Sequence, residues 1–241
     1  MNIIKEMSQA FGKLPAEYFN SGLIAEVQLI SQINETYIMN KIGGSKPFLY
    51  INEDWPQDKK GNYLKFICQY KHPTENKMVR FFLNYHNIAH YQFDIIDINQ
   101  PYKQDDQMPN LTAHLPCYEI VKWNPITEPM DIMTVYEYYI EHPEDFKIDF
   151  SDQINDDHYE RDINDKFYLS LIIREILVEE YLFSAHNLSM LKVGGTPYSE
   201  SNKTNYYISS GTLMQLSNKE IQFPFLVGHI LIDNLELVYE M

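Results

Sequence analysis

The chain has 241 residues, and 44% of them are hydrophobic, so it can bury a substantial core. Its 19 basic and 34 acidic residues give a net charge of −15, which repels nucleic acids and anionic membranes and attracts cationic partners. The sequence has no apolar run of about 18 residues, no export signal at its start, and two cysteines, Cys68 and Cys117. We therefore expect a cytoplasmic protein with reduced thiols and neither a membrane span nor a disulfide framework.

Short runs typical of strands fill much of the first half, after an N-terminal stretch with helical character. Ile3, Met7 and Phe11 have helical spacing, which is broken near Gly12 and Pro15. Residues 23–32 fit either a helix or a strand. The following runs are rich in β-branched and aromatic residues and predict strands of an antiparallel sheet at 63–70, 78–85, 91–98 and 117–123.

The second half begins with two predicted helices and ends in strands. Residues 130–142 are helical in character up to Pro143, and residues 162–184 combine a capping Asp162 or Asn164 with an apolar face. Strand-like runs follow at 211–217, 228–234 and 235–240. This order of elements predicts an α+β fold with mixed or antiparallel sheets and flanking helices.

Two Gly-Gly pairs, each soon followed by proline, stand out in a chain with only 9 glycines. A phosphate-binding loop would lead directly into a helix, whereas Gly43-Gly44 and Gly194-Gly195 precede Pro47 and Pro197 and extended segments. We therefore interpret both pairs as structural turns that use positive φ or close backbone packing. After each turn and an insert come a glycine, apolar residues and a glutamine. This predicts an internal duplication of a Gly-Gly-Pro turn plus strand unit, with Gln69 and Gln215 in equivalent positions.

The first turn and its surroundings resemble a known signature. The residues that carry the resemblance are Lys41-Ile42-Gly43-Gly44, Pro47, Trp55-Pro56, Gly61, "LKFICQ" (64–69) and "MVRFFL" (78–83), with "LKVGGTP", "GTLMQLS" and "PFLVGHILI" in the later part. As a set they are similar to the YwqG-like proteins, a bacterial domain family of unknown function. This chain departs from the family pattern at "YSES" after the second turn and at "FPFLVG" before the final Gly-led strand.

The resemblance implies an α+β fold with internal duplication and supplies no catalytic residues. We expect one domain over 1–241, with an N-terminal helical segment at about 1–21. Two repeat halves, at about 22–125 and 185–241, would be joined by a helical, acidic segment.

Residues for metal or nucleophilic chemistry are sparse. His86 and His90 are four residues apart, with Asp94 and Asp97 nearby, but the glutamate of a zinc-protease helix is missing. Neither cysteine lies in a context that marks a nucleophile, and there is no G-x-S-x-G turn. We predict no catalytic residues, no metal and no cofactor.

The most acidic segment, residues 141–165, has ten carboxylates against two cations and so carries −8 of the net −15. Aromatic residues alternate with the acids, a combination suited to a protein interface. The residues that we predict to bind a partner are Glu144, Asp145, Asp149, Phe150, Asp152, Asp156, Asp157, Tyr159 and Glu160.

Two functions of different classes follow from these features. The first is a cytoplasmic immunity protein, not an enzyme, that occludes the active surface of a secreted antibacterial toxin, such as a nuclease or another cationic enzyme. YwqG-like proteins occur beside bacterial toxin genes, as the resemblance implies. The alternative is a small-molecule-binding protein or an enzyme with a site between the repeat halves, where Trp55, Gln69, Gln215 and His229 would converge.

Overall fold

In the computed structural model, the described part of the chain is built almost entirely of strands. The structure describes residues 15–30, 38–73, 75–103, 115–129, 138, 141–142, 189–197, 212–218, 221–232 and 234–240. The described strands are β1 (Phe19–Ile30), β2 (Lys41–Gly44), β3 (Leu49–Tyr50), β4 (Lys65–Lys71), β5 (Lys77–Leu83), β6 (Tyr91–Asp97), β7 (Tyr102–Lys103), β8 (Leu115–Pro129), β9 (Leu191–Gly194), β10 (Thr212–Ser217), β11 (Val227–Leu231) and β12 (Leu237–Glu240). A single 3-10 turn, Ala16–Tyr18, precedes β1.

Ten of these strands form one antiparallel sheet in the order β12-β11-β10-β9-β1-β8-β2-β4-β5-β6, and β3 pairs with β7 separately. The centre is the long pair β1–β8, which extends from Phe19 opposite Pro129 to Ile30 opposite Cys117, with one shift of register between Glu26 and Val27. Four strands lie on each side of this pair. Each Gly-Gly turn ends the strand next to the central pair, β2 on one side and β9 on the other.

The sheet curls strongly, as right-handed strand twist accumulates across ten strands. Cys68 Sγ on β4 lies 3.9 Å from Met214 Sδ on β10, although four strands separate β4 from β10 in the sheet order. At the margins, the N–H of Leu237 on β12 donates to Tyr91 Oη on β6 over 3.1 Å. The two halves therefore share one apolar core on the concave face. Its members include Ile42, Val79, Phe81, Leu191, Leu216 and Ile230.

Side chains alternate between the two faces of a strand, so the neighbours of these core residues point to the convex face. In the first half, the chain between β2 and β4 (residues 45–64, the covering segment) lies over this face. It buries a smaller apolar cluster of Leu49, Trp55, Leu64, Phe66 and Phe82. Lys41, Gln69 and Arg80 lie in register on the same face and are also buried. Polar groups are thus enclosed beneath the covering segment.

The Gly-Gly turns are structural, because each has two consecutive residues with positive φ. The φ values are 75° and 83° at Gly43 and Gly44, and 64° and 75° at Gly194 and Gly195. A Cβ added at Gly43 would overlap Pro116 O of β8. Glycine therefore serves here both for backbone conformation and for the close approach of β2 to β8.

The predicted α+β class is wrong for the described chain. Residues 19–30 form a twelve-residue strand. Of the helix predicted at 130–142, the structure describes Tyr138 and 141–142, where the N–H of His142 donates to Tyr138 O over 2.9 Å. The helix predicted at 162–184 lies outside the described residues. No helix in the described part of the chain is long and apolar enough to cross a membrane.

Candidate functional site

The acidic surface predicted to bind a partner lies outside the described residues. This applies to Glu144, Asp145, Asp149, Phe150, Asp152, Asp156, Asp157, Tyr159 and Glu160. The candidate groups among the described residues lie in the sheet and its connections.

Trp55 and Gln69, two of the four residues predicted to converge, secure the covering segment of the first half. Trp55 Nε1 donates to Leu64 O over 2.7 Å within the smaller apolar cluster. Gln69 Oε1 accepts from the N–H of Phe48 at 2.6 Å, and its Nε2 donates to Met39 O at 3.0 Å. Gln69 thereby connects the chain before β2 with the chain after the Gly-Gly turn.

Gln215 and His229, the other two, lie in the second half. Gln215 on β10 is in register with Lys192 on β9 and with His229 on β11, and all three are buried. In the first half, Gln69 is likewise in register with Lys41. Gln69 and Gln215 therefore hold matching positions beside the lysines of the two Gly-Gly strands, but convergence is not observed. Their neighbours Cys68 and Met214 meet on the concave side, so the glutamines point outward from separate halves.

The first half contains a cluster centred on the buried guanidinium of Arg80. Its side chain is 2% exposed, and it forms a two-bond pair with Glu53, Nη1 to Oε2 at 2.8 Å and Nη2 to Oε1 at 2.7 Å. Arg80 Nη2 also reaches Asp94 Oδ2 at 2.8 Å, and Nη1 donates to Phe48 O at 2.7 Å. The planar guanidinium suits this arrangement, because it presents several donors in fixed directions. The cluster holds the covering segment against β5 and β6.

The second half has a matching cation on β9. Lys192 Nζ lies 3.0 and 3.3 Å from the two carboxylate oxygens of Glu128 and donates to Thr196 O. Burial lowers the pKa of Lys192, and the charge of Glu128 opposes that shift. The N–H of Thr196 donates to Glu128 Oε2 at 2.8 Å. A Cβ on Gly195 would lie 2.5 Å from that same oxygen, so glycine leaves room for the carboxylate.

The two lysines have the same structural role. Lys41 and Lys192 each stand two residues before a Gly-Gly pair, and each donates Nζ to a carbonyl just beyond its turn, that of Lys46 or that of Thr196. Lysine at this position therefore anchors the chain that leaves the turn. The arrangement explains why lysine, Gly-Gly and glutamine recur together in the sequence.

The carboxylate of Asp58, whose side chain is 2% exposed, ties the turn at residues 58–62 to the loop that connects β5 and β6. Its oxygens accept from the N–H groups of Lys60 and Asn62 and from the side-chain amides of Asn62 and Asn84, at 2.8 to 3.0 Å. His90 Nδ1 lies 3.4 Å away. The hydrogen bonds from Asn62 hold the pKa of Asp58 well below its usual value.

Three of the four residues considered for a metal, His90, Asp94 and Asp97, have other partners, and Asp97 Oδ1 accepts from the N–H of Asn99 at 2.8 Å. His90 contacts Asp58, whereas Asp94 is bound by Arg80 and by Gln92 Nε2 at 2.8 Å. Within the described ranges, no group of three or more His, Cys, Asp or Glu side chains is arranged to hold a metal. Cys68 and Cys117 are buried free thiols, as predicted.

Sequence reasoning missed the clusters around Arg80, Asp58 and Lys192–Glu128. Arg80 carried a visible signal, because it is the one charged residue in the apolar run "MVRFFL". A charge in such a strand requires a buried partner. Glu53, Asp58 and Glu128 carried none, since acidic residues are frequent throughout the chain. Comparison with protein-family models and with curated proteins found no match for this chain.

Proposed function

We propose that this chain is a cytoplasmic immunity protein that binds a basic antibacterial toxin and occludes its active surface. The observation that carries the proposal is the uneven distribution of charge. Residues 141–165 hold ten carboxylates and two cations, which is −8 of the net −15. A local field of this strength attracts a cationic protein and increases the rate of encounter.

Aromatic residues within the acidic segment supply the second requirement of a tight complex. Phe146, Phe150, Tyr159 and Phe167 lie in or next to it. Large aromatic side chains that become buried at an interface contribute much of the binding energy and slow dissociation, whereas charges at the rim mainly affect association.

The buried cations favour a scaffold role for the ten-stranded sheet. Arg80 pairs with two carboxylates and Lys192 with one, and each also donates to a carbonyl of the chain that leaves a Gly-Gly turn. Groups held in this way keep the surface segments in fixed positions. A rigid scaffold reduces the conformational entropy lost on binding and so favours a high-affinity inhibitor.

The test is capture of the partner from native cells with the tagged full chain, washed at low and then at high salt. We expect one stoichiometric basic protein that is toxic when expressed alone and harmless when expressed with this chain. Retention at high salt would indicate that apolar anchors dominate the complex. Failure of co-expression to relieve toxicity, or the absence of a basic partner in both washes, would contradict the proposal.

A further inference from the structure

In the described part of the chain, strand β6 is an edge of the ten-stranded sheet, contacted at its ends by Tyr50 Oη, which donates to Asp97 O, and by the N–H of Leu237, which donates to Tyr91 Oη. All seven of its residues, Tyr91–Asp97, pair with β5 in an unbroken register. No strand among the described residues pairs with its other side. It contains no proline, lysine or bulge, which are devices that natural sheets commonly use to block an edge from further pairing.

The direction of its free backbone groups follows from the ladder. The N–H of Asn84 donates to His90 O at 2.9 Å, and hydrogen-bonded pairs then alternate along the register. Gln92, Asp94 and Ile96 therefore direct their backbone groups toward β5. Phe93, Ile95 and Asp97 direct theirs away from the sheet, and Asp97 O accepts from Tyr50 Oη at 2.8 Å. The outward groups of Phe93 and Ile95 have no hydrogen bond to a described residue.

The side chains along this edge combine an apolar row with acidic groups. Phe93 and Ile95 share the face of Phe81 and Val79, and Ile95 is 40% exposed. Asp97 is exposed at the end of the strand, and the side chain of Asp94, on the opposite face, is 22% exposed. An added strand would find apolar contacts on one face and negative charge nearby.

The charge of this edge favours one of two occupants, a second copy of the chain or a basic extended segment of a partner. Pairing with β6 of a second copy would bring together the exposed Asp97 of both chains and two Arg80–Glu53–Asp94 clusters, each with one cation and two carboxylates, without any basic residue on either β6 strand. A basic extended segment would instead meet opposite charge. The net charge of −15 favours the same choice.

We propose that β6 accepts an extended, basic segment of a partner protein as an eleventh strand of the sheet. Main-chain hydrogen bonds to Phe93 and Ile95 would supply affinity, and alternate apolar and basic side chains would supply selectivity. This inference rests on the proposed function in one respect, since it takes the partner to be the toxin. The edge itself can be tested without that partner.

The probe is a fluorescent peptide of alternating valine and lysine, and binding is followed by fluorescence anisotropy. Ile95→Pro removes an outward donor and leaves the hydrogen bonds to β5 in place. Ile95→Val keeps the donor and most of the apolar surface, so it is the matched control. A peptide of alternating proline and lysine has the same charge spacing and no backbone donors.

We expect the valine–lysine peptide to bind the full chain and Ile95→Val with similar affinity, and Ile95→Pro about tenfold more weakly. The proline–lysine peptide should bind all three proteins weakly. Thermal unfolding checks that both proteins are folded. If both are folded and the first peptide binds the native chain and Ile95→Pro equally, the inference is overturned. The absence of binding to the native chain would also overturn it. If the toxin is captured equally by the native chain and by Ile95→Pro, the edge inference fails and the immunity function stands.

Discussion

At the residue scale, Arg80 couples the segment that covers the first half to the sheet beneath it. Replacing Arg80 with Met leaves Glu53 and Asp94 without their counter-charge. Because those side chains are 21% and 22% exposed, we expect a loss of about 3 kcal/mol in the free energy of unfolding, toward the low end for a broken buried pair. Urea unfolding measures the loss.

The control is Lys77→Met. Lys77 pairs with Glu75 at 2.6 Å, but the two side chains are 50% and 49% exposed. An exposed pair contributes at most about 1 kcal/mol, so Lys77→Met should have little effect. Similar losses for the two variants would show that the Arg80 cluster does not stabilise the fold as a buried network.

Asp58 should make stability dependent on pH in the acid range. Hydrogen bonds from Asn62 lower the pKa of Asp58 in the folded chain, so the folded state binds this proton more weakly than the unfolded state. The resulting stabilisation is present above the unfolded value of about 3.9 and is lost as pH falls further toward the lower folded pKa. Asp58→Asn should therefore lower the unfolding temperature at pH 7.

The difference between Asp58→Asn and the native chain should narrow as pH falls below about 4. Asp54→Asn, an exposed neighbour, is the control and should follow the native chain throughout. A temperature difference that stays constant across the acid range would indicate that the amide disturbs the loop for reasons other than charge.

At the scale of elements, local composition predicted the strands around β4, β5, β6 and β10–β12. Runs rich in β-branched and aromatic residues locate such strands because they fit a pleated, half-buried surface. The nature of β1 could not be decided from its own residues. Its apolar residues are spaced irregularly, and its register with β8 shifts between Glu26 and Val27. Only the pairing with a strand about a hundred residues away determines its conformation.

The close approach of β2 to β8 gives a prediction about the first Gly-Gly turn. Gly43→Ala places a methyl group against Pro116 O in a backbone with φ of 75°. Both strands are central, so relief requires one of them to move. We expect this variant to lose at least about 3 kcal/mol, from the conformation and from the overlap together.

Gly61→Ala separates the two contributions. Gly61 has φ of 80°, but the nearest atom to an added Cβ is Gln57 Oε1 at 3.9 Å. This variant should lose only the conformational part, about 1–2 kcal/mol. Equal losses measured by urea unfolding would mean that the contact between β2 and β8 adjusts at no cost.

At the scale of the whole molecule, the sequence shows the recurrence of lysine, Gly-Gly and glutamine, but it does not show that the convex faces of the two halves are separate. Gln69 and Gln215 occupy matching registers, as their sequence surroundings predicted. The curl of the sheet then determines that Cys68 and Met214 meet and that the glutamines do not. Curvature arises from twist summed over ten strands, and no local motif encodes it. The sequence therefore predicts a site between the halves, whereas in the structure Gln69 and Gln215 lie on separate convex faces.

The proposed function depends on where the charge lies, and charge reversal can separate location from amount. Changing Asp152, Asp156 and Asp157 to Lys alters the net charge by six units within the acidic segment. We expect slower association with the captured toxin, on the order of tenfold or more at low salt, and a smaller effect at high salt because screening shortens the range of the field. Dissociation should change less. Stopped-flow mixing at several ionic strengths measures both rates.

The matched control reverses three exposed acids elsewhere, Glu17, Asp54 and Glu236, and so changes the net charge by the same six units. If total charge alone attracts the partner, the two triple variants will slow association equally. If the acidic segment is the binding surface, only its own variant will also lose affinity at high salt, because its side chains contact the toxin directly. Equal effects at all ionic strengths would show that residues 141–165 are not the binding surface. The partner would then be attracted by the negative charge of the whole molecule.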